Sequence, residues 1–293
     1  MPISDRFAKL IAHIAPSDAD VRAYDQHLAT VSAVIKRELN TNRVEPIGSY
    51  ARRTAVRRVS DLDVLAVLNA KERRWGDDGK SSRTVLNKVR LALSKALPAT
   101  AIGTDRNAVV VQFKGGERPI DVVPAFYAGP AKQFRNYPLF RIPDGQGGWL
   151  TTSPAAHAKY LQEDYQRSRG KSVRLAQIIK FWASCHPHVQ FTSFHIELLI
   201  AAYGVVAAPG SYADAVHVFF QLMAQRDAAG LRDPLGISSC VPATSRSSAA
   251  SLVSAIHKAA EHSLCALDAE ASRKTPEAVR QWGIVFNHHA FAR

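Results

Sequence analysis

Gly48-Ser49-Tyr50-Ala51-Arg52-Arg53-Thr54-Ala55-Val56-Arg57-Arg58-Val59-Ser60-Asp61-Leu62-Asp63-Val64-Leu65 is the stretch that decides the fold. A short β-prone segment, residues 43–47, leads into the Gly-Ser pair, and the spacing predicts a turn there that opens a helix. Glycine lets the backbone approach a bound group closely. N–H groups at a helix start, with a serine hydroxyl beside them, form a site for an anion such as phosphate. Residues 62–68 (LDVLAVL) are short, branched and apolar, and read as a buried strand. Asp61 and Asp63 stand two apart at its start, so their side chains share one face. Two adjacent carboxylates repel each other unless a cation lies between them. Mg2+ held by carboxylates and substrate phosphates meets that need.

Working outward, residues 108–113 (AVVVQF) and 119–126 (PIDVVPAF) read as two strands of a hairpin, turning at Lys114-Gly115-Gly116-Glu117. Asp121 sits inside the second, among Ile120, Val122 and Val123. A carboxylate in so apolar a strand is costly unless it is paired or binds metal. Three aspartates on neighbouring strands can hold two divalent ions, one activating an attacking hydroxyl and one clamping the leaving phosphates. Taken alone, Asp63 could pair with an arginine and Asp121 with Arg118; the ordered combination of all three favours a metal site. Helical periodicity covers residues 17–39, with Ser17 or Asp18 as cap, and residues 83–97. The first half is therefore mixed α and β.

After Pro143-Asp144-Gly145-Gln146-Gly147-Gly148 the pattern turns helical: 154–167, 171–184, 193–206, 211–226, 248–271 and 275–283. That turn-forming stretch reads as a junction, dividing the chain into an α/β lobe, 1–150, and a helical lobe, 151–293, with a ligand cleft expected between them. Lys and Arg total 38 against 25 Asp and Glu, a net charge of +13 that predicts polyanionic company. Three scattered cysteines without a CxxC pair argue against a thiolate zinc site and for a reducing compartment. The apolar run at 198–208 falls well short of the roughly 20 residues of a membrane span. No secretion signal is evident at the N-terminus, so the expected location is the cytoplasm.

Gly-Ser, eleven residues, then Asp-Leu-Asp before an apolar run resembles the signature of the DNA polymerase β-like nucleotidyltransferase superfamily. RLAQIIKFW at 174–182, TSFHIELL at 192–199, Asp233-Pro234 and DGQGGWLTTSPAAH at 144–157 narrow the resemblance to the CD-NTase family. These are bacterial cyclic oligonucleotide synthases related to animal cGAMP synthase. The resemblance implies an α+β fold with a central mixed sheet in a nucleotidyltransferase lobe and a helical C-terminal lobe. It implies two Mg2+ ions, with Mn2+ as a substitute, held by Asp61, Asp63 and Asp121. The same residues catalyse, Asp121 helping to deprotonate the acceptor ribose. Gly48, Ser49, Lys180 and Ser193 are implied as triphosphate contacts and Phe194 as a face stacking on the donor base. ATP and GTP are the implied substrates, and the product is a cyclic di- or trinucleotide that reaches a downstream effector in anti-phage (CBASS) signalling. Neither nucleic acid nor membrane is implied as a partner.

Structural alternatives stand beside several assignments. Lys180 could snorkel on a solvated face, Ser193 could simply cap a helix, and Phe194 could be core. Cys185-His186-Pro187-His188 makes a poor tetrahedral set. His195, Glu197, His288 and His289 read as structural or solvated. Two rival functions fit the same sequence: template-independent extension of RNA ends, and a non-catalytic nucleotide-binding or antitoxin-like role.

Overall fold

The computed structural model describes residues 1–73, 81–114, 118–131, 136–206 and 210–287. The chain forms two compact units, one of Pro16–Lys159 with Leu235–Ser238, the other of Met1–Ala15, Tyr160–Pro234 and Ser239–Arg293. Helix α1 (Ile3–Ile14) belongs to the second unit.

The first unit opens with α2 (Asp18–Glu38). Ser17 and Asp20 form a reciprocal capping box at its start, with each backbone N–H bound by the other's side chain. β1 (Thr41–Ile47), α3 (Gly48–Ala51), β2 (Leu62–Leu68) and α4 (Ala70–Arg73) follow. Then come α5 (Ser82–Ala96), β3 (Ala101–Asp105), β4 (Ala108–Gln112), β5 (Ile120–Pro130), β6 (Pro138–Pro143) and β7 (Trp149–Thr152). Among the described residues these strands make one mixed sheet in the order β1-β2-β5-β4-β3, with β6 on the far part of β5 and β7 on β6. β2 and β5 run parallel, and the other pairings are antiparallel.

Strand alternation sorts the side chains into two layers. Leu62, Val64, Ala66 and Leu68 of β2 join Ile120 and Val122 of β5 in a core with Val31 and Ile35 of α2 and Val89 and Leu93 of α5. Leu65, Val67, Val123 and Ala125 pack on the opposite face around Phe140. Asp63 and Asp121 alternate with the first set, so both point away from the α2–α5 layer.

Residues 143–148 do not link two lobes. They are the turn of the β6–β7 hairpin, where Pro143 pairs with Trp149 and the Asp144 carboxylate accepts from the N–H groups of Gln146 and Gly148 at 2.7 and 2.9 Å. The division falls between residues 159 and 160, inside α6 (Pro154–Arg167), and residues 1–15 group with the helices. Gly115–Glu117 of the expected hairpin turn, and His288-His289, lie outside the described residues.

The second unit continues with α7 (Lys171–Ser184), α8 (Ser193–Ala202), α9 (Tyr212–Gln225), the short strands β8 (Leu231–Arg232) and β9 (Cys240–Val241), α10 (Ala249–Ala271) and α11 (Thr275–Val285). Its core holds Trp182, Phe219 and Phe220, with Phe7 of α1 edge-on to Trp282 at 5.1 Å. No described helix is long and apolar enough to cross a membrane. All three cysteines are free thiols.

Candidate active site

The parallel register places Asp63 directly beside Asp121, and the antiparallel register places Asp121 beside Val110. Adjacent strands lie about 4.8 Å apart, so two carboxylates face out of the sheet as neighbours. Burial pushes the Asp121 carboxyl up to about 7, helped by the negative charges of Asp63, Asp61 and Asp105. Asp61, in the residue before β2, is also raised by burial, and the Arg118 guanidinium partly offsets that rise. Arg118 is thus a counter-charge to Asp61, whereas the sequence offered it as a partner for Asp121. Asp105, on β3, is a contributor that sequence reading missed. Only the pairing of β3 with β4 brings it toward the site.

Gly48 is fitted to this carboxylate pair. Its φ is +68°, a conformation that L side chains avoid, and a Cβ built on it would lie 1.8 Å from Asp63 Oδ2. The register Ile47↔Asp63 sets this approach. Ser49 is buried, and its carbonyl accepts the Thr54 N–H at 2.9 Å. Farther along the loop, Ser60 Oγ accepts the Val56 N–H at 3.0 Å. α2 braces the same segment from outside: Tyr50 donates its hydroxyl to Asp25 at 2.6 Å, and Arg57 pairs with Asp20 at 3.1 Å. The Tyr50 hydroxyl is pushed up to about 12, first by burial and then by its bond to Asp25, so it stays a donor. The dense arginine run therefore partly serves to anchor the loop.

The five residues Gly48, Ser49, Asp61, Asp63 and Asp121 belong to one unit, and Lys180, Ser193 and Phe194 to the other. Lys180 is almost wholly buried and donates to Glu197 Oε1 at 2.7 Å, while Tyr165 donates its hydroxyl to Glu197 Oε2 at 2.9 Å. Sequence reading had set Glu197 aside as structural or solvated. Its place on α8 opposite a lysine of α7 is a tertiary fact without a local signal. Ser193 is exposed at the first turn of α8, and Thr192 rather than Ser193 is the cap residue. Phe194 is half-buried. His195 is a core histidine: Nδ1 lies 2.9 Å from the Val241 carbonyl, and burial lowers its pKa.

The aspartates supply hard oxygen donors of the kind Mg2+ prefers. Among the described residues no three His, Cys, Asp or Glu side chains stand close enough to hold one metal ion as placed. The backbone register nevertheless fixes Asp63 and Asp121 as neighbours on one face. A buried carboxyl pushed toward neutrality by like charges is also what a cation between them would relieve.

Residues 1–164 match the Second Messenger Oligonucleotide or Dinucleotide Synthetase domain. Among characterised relatives, the chain is 25% identical over 229 residues to the cyclic AMP-AMP-AMP synthase of Escherichia coli (strain MS 115-1), covering 75% of this chain and 67% of that protein. It is 27% identical over 170 residues to the CBASS oligonucleotide cyclase CdnC of Escherichia coli (strain KTE188), covering 56% of this chain and 51% of that one. The chain thus spans half to two thirds of these relatives' length. In three dimensions it resembles E. coli MS115-1 CdnC with ATP, at a TM-score of 0.76 and 19% identity over 98% of each chain. It also resembles the Bradyrhizobium diazoefficiens CD-NTase CdnG in complex with GTP, at 0.70 and 14% over 98% of this chain and 99% of that one. The α+β fold is that of the polymerase β-like nucleotidyltransferases.

Proposed function

The chain belongs to the Second Messenger Oligonucleotide or Dinucleotide Synthetase family of nucleotidyltransferases, and from that premise we propose that it joins ribonucleoside triphosphates into a cyclic di- or trinucleotide. The observation that carries the reading is the Asp63–Asp121 pair on adjacent parallel strands with Gly48 packed against Asp63. Asp61, Asp63 and Asp121 would hold divalent ions, Mg2+ or Mn2+. When bound, such ions neutralise phosphate charge and acidify the attacking hydroxyl. Asp121 receives the proton from a ribose 2′ or 3′ hydroxyl of the acceptor. Without a bound ion its carboxyl is pushed up to about 7 by burial and the neighbouring aspartates, and a divalent ion held beside it would lower that value and favour the ionised, proton-accepting form. The hydroxyl oxygen then bonds to the α-phosphorus of the donor as the bond to the departing pyrophosphate breaks. Gly48 and Ser49 hold the triphosphate through backbone N–H and hydroxyl.

Lys180 and Ser193 would contact triphosphate and Phe194 would stack on the donor base. Lys180 donates to Glu197 Oε1 at 2.7 Å, so a phosphate contact would be made by an ammonium already held by that carboxylate. ATP and GTP are the proposed substrates, in keeping with the nucleotides named for the CdnC and CdnG complexes. The product would act on a downstream effector in CBASS-type defence.

The test is incubation with labelled ATP, GTP, CTP and UTP and Mg2+ or Mn2+, followed by phosphatase treatment and mass spectrometry. A phosphatase-resistant product that is lost in Asp61→Ala/Asp63→Ala supports the reading. Products that grow only on added RNA ends would replace it with the RNA-end transferase. Nucleotide binding without turnover under every metal would leave a binding module.

A further inference from the structure

The helical unit contains a polar cavity of about 470 Å3, within the size range of small-molecule sites. Its walls come from the end of α7, the loop after it, α10 and α11. Trp182, His186, His188, Ser254, Lys258 and His262 line it, and no aspartate or glutamate does so among the described residues. Ser254, Lys258 and His262 recur at intervals of four along α10 and so share one face. Lys258 is exposed and enters none of the described ion pairs.

Two histidines are held in defined states. The His262 Nδ1 lies 2.7 Å from Gln281 Oε1, and Gln281 Nε2 donates to Glu277, which fixes the amide's orientation. The Nδ1 of His262 therefore carries the proton. His186 Nδ1 lies 2.8 Å from the Trp182 carbonyl, which can only accept, so the same assignment holds. Each ring then has Nε2 as the nitrogen that gains a proton when the imidazole becomes charged. Trp182 itself is fully buried and forms part of the apolar backing of this wall. Cationic and hydroxyl groups, an absence of carboxylates and an aromatic wall together select a small phosphate-bearing ligand.

We propose that this cavity is a binding site for a small phosphate monoester, separate from the carboxylate site of the other unit. Lys258 supplies fixed positive charge, Ser254 a hydroxyl donor, and His186, His188 and His262 supply donors that strengthen on protonation. Among the described residues these are the titratable groups that line the cavity; α11 contributes none.

The test is NMR of the histidine side chains in the full chain, titrated with inorganic phosphate and with AMP at slightly acidic pH, with sodium chloride as the ionic control. Saturable shifts of the His186 and His262 resonances are expected with AMP. A response to phosphate as well would locate recognition in the phosphate group alone. Lys258→Ala should weaken the affinity about tenfold, the worth of one charge-assisted hydrogen bond, and Lys258→Arg should restore most of it. The exposed position of Lys258 lets both variants fold. Asp63→Asn should leave the shifts unchanged, which separates this site from the catalytic one. No saturation with either probe, or a Lys258→Ala curve that superimposes on the parent's, overturns the proposal. A response to an oligonucleotide duplex alone would replace it with a nucleic-acid surface.

Discussion

At Gly48 the smallest possible change meets the largest obstacle. A methyl group there demands both a left-handed backbone and the space occupied by the Asp63 carboxylate. Gly48→Ala should therefore displace Asp63 and lower nucleotide incorporation by about two orders of magnitude, the usual consequence of an ångström-scale misplacement at a reacting centre. Circular dichroism should show the fold retained. Asp121→Asn should lower turnover by about 10²–10⁴ through loss of the proton acceptor, with an opposite effect on stability. A carboxyl that titrates at about 7 rather than its ordinary 3.8 binds its proton more tightly folded than unfolded. Between those two values the stability of chelator-treated protein should fall as pH rises. The effect should stay below about 4 kcal/mol, since water still reaches the group. Denaturant titrations across that range should show the slope in the parent and its loss in Asp121→Asn, while added Mg2+ should restore stability to the parent. These aspartates were legible in the sequence because their chemistry conflicts with their apolar neighbours. Asp105 was not, since nothing at residues 101–105 states which strand it will pair with.

The elements divide in the same way. The helices α2, α7 and α10 announce themselves by periodicity, and their observed bounds lie within a residue or two of the expected ones, whereas α1 has no counterpart in the sequence reading. β6 and β7 escape notice because they are short and Pro143 and Gly147-Gly148 look like linker. Only Phe140 facing the β2–β5 layer explains why that segment is sheet. The α7–α8 contact was likewise hidden, and it carries its own prediction. Lys180→Met leaves the Glu197 charge buried without its counter-ion and should cost about 3–5 kcal/mol. Lys180→Met/Glu197→Leu should recover much of that loss in a denaturation experiment. Both variants should bind triphosphate poorly, and only the double one from a well-folded state. If the double variant binds triphosphate like the parent, Lys180 is a packing residue.

For the whole molecule, the surplus of 13 positive charges predicts that nucleotide affinity weakens as salt rises, measurable by titration at constant pH. α1 ties the start of the chain to its distant helices. Phe7 is buried against Trp282 and Phe286, so Phe7→Ala should destabilise the helical unit by about 3–5 kcal/mol. The loss should be read from tryptophan fluorescence during urea unfolding.

That tie has a consequence for how the molecule is made. On the ribosome α1 emerges before any of its partners in α7, α9 or α11 exists, and about 270 residues must be translated before Trp282 follows Phe7 into solution. The sheet unit in between is complete, apart from residues 235–238, long before then. During synthesis one half can mature while the amphipathic first helix waits, its apolar stripe of Ile3, Phe7, Leu10 and Ile14 uncovered. For that interval the nascent chain carries an uncovered apolar stripe, and the arrival of α11 determines whether it finds Trp282 or a neighbouring polypeptide.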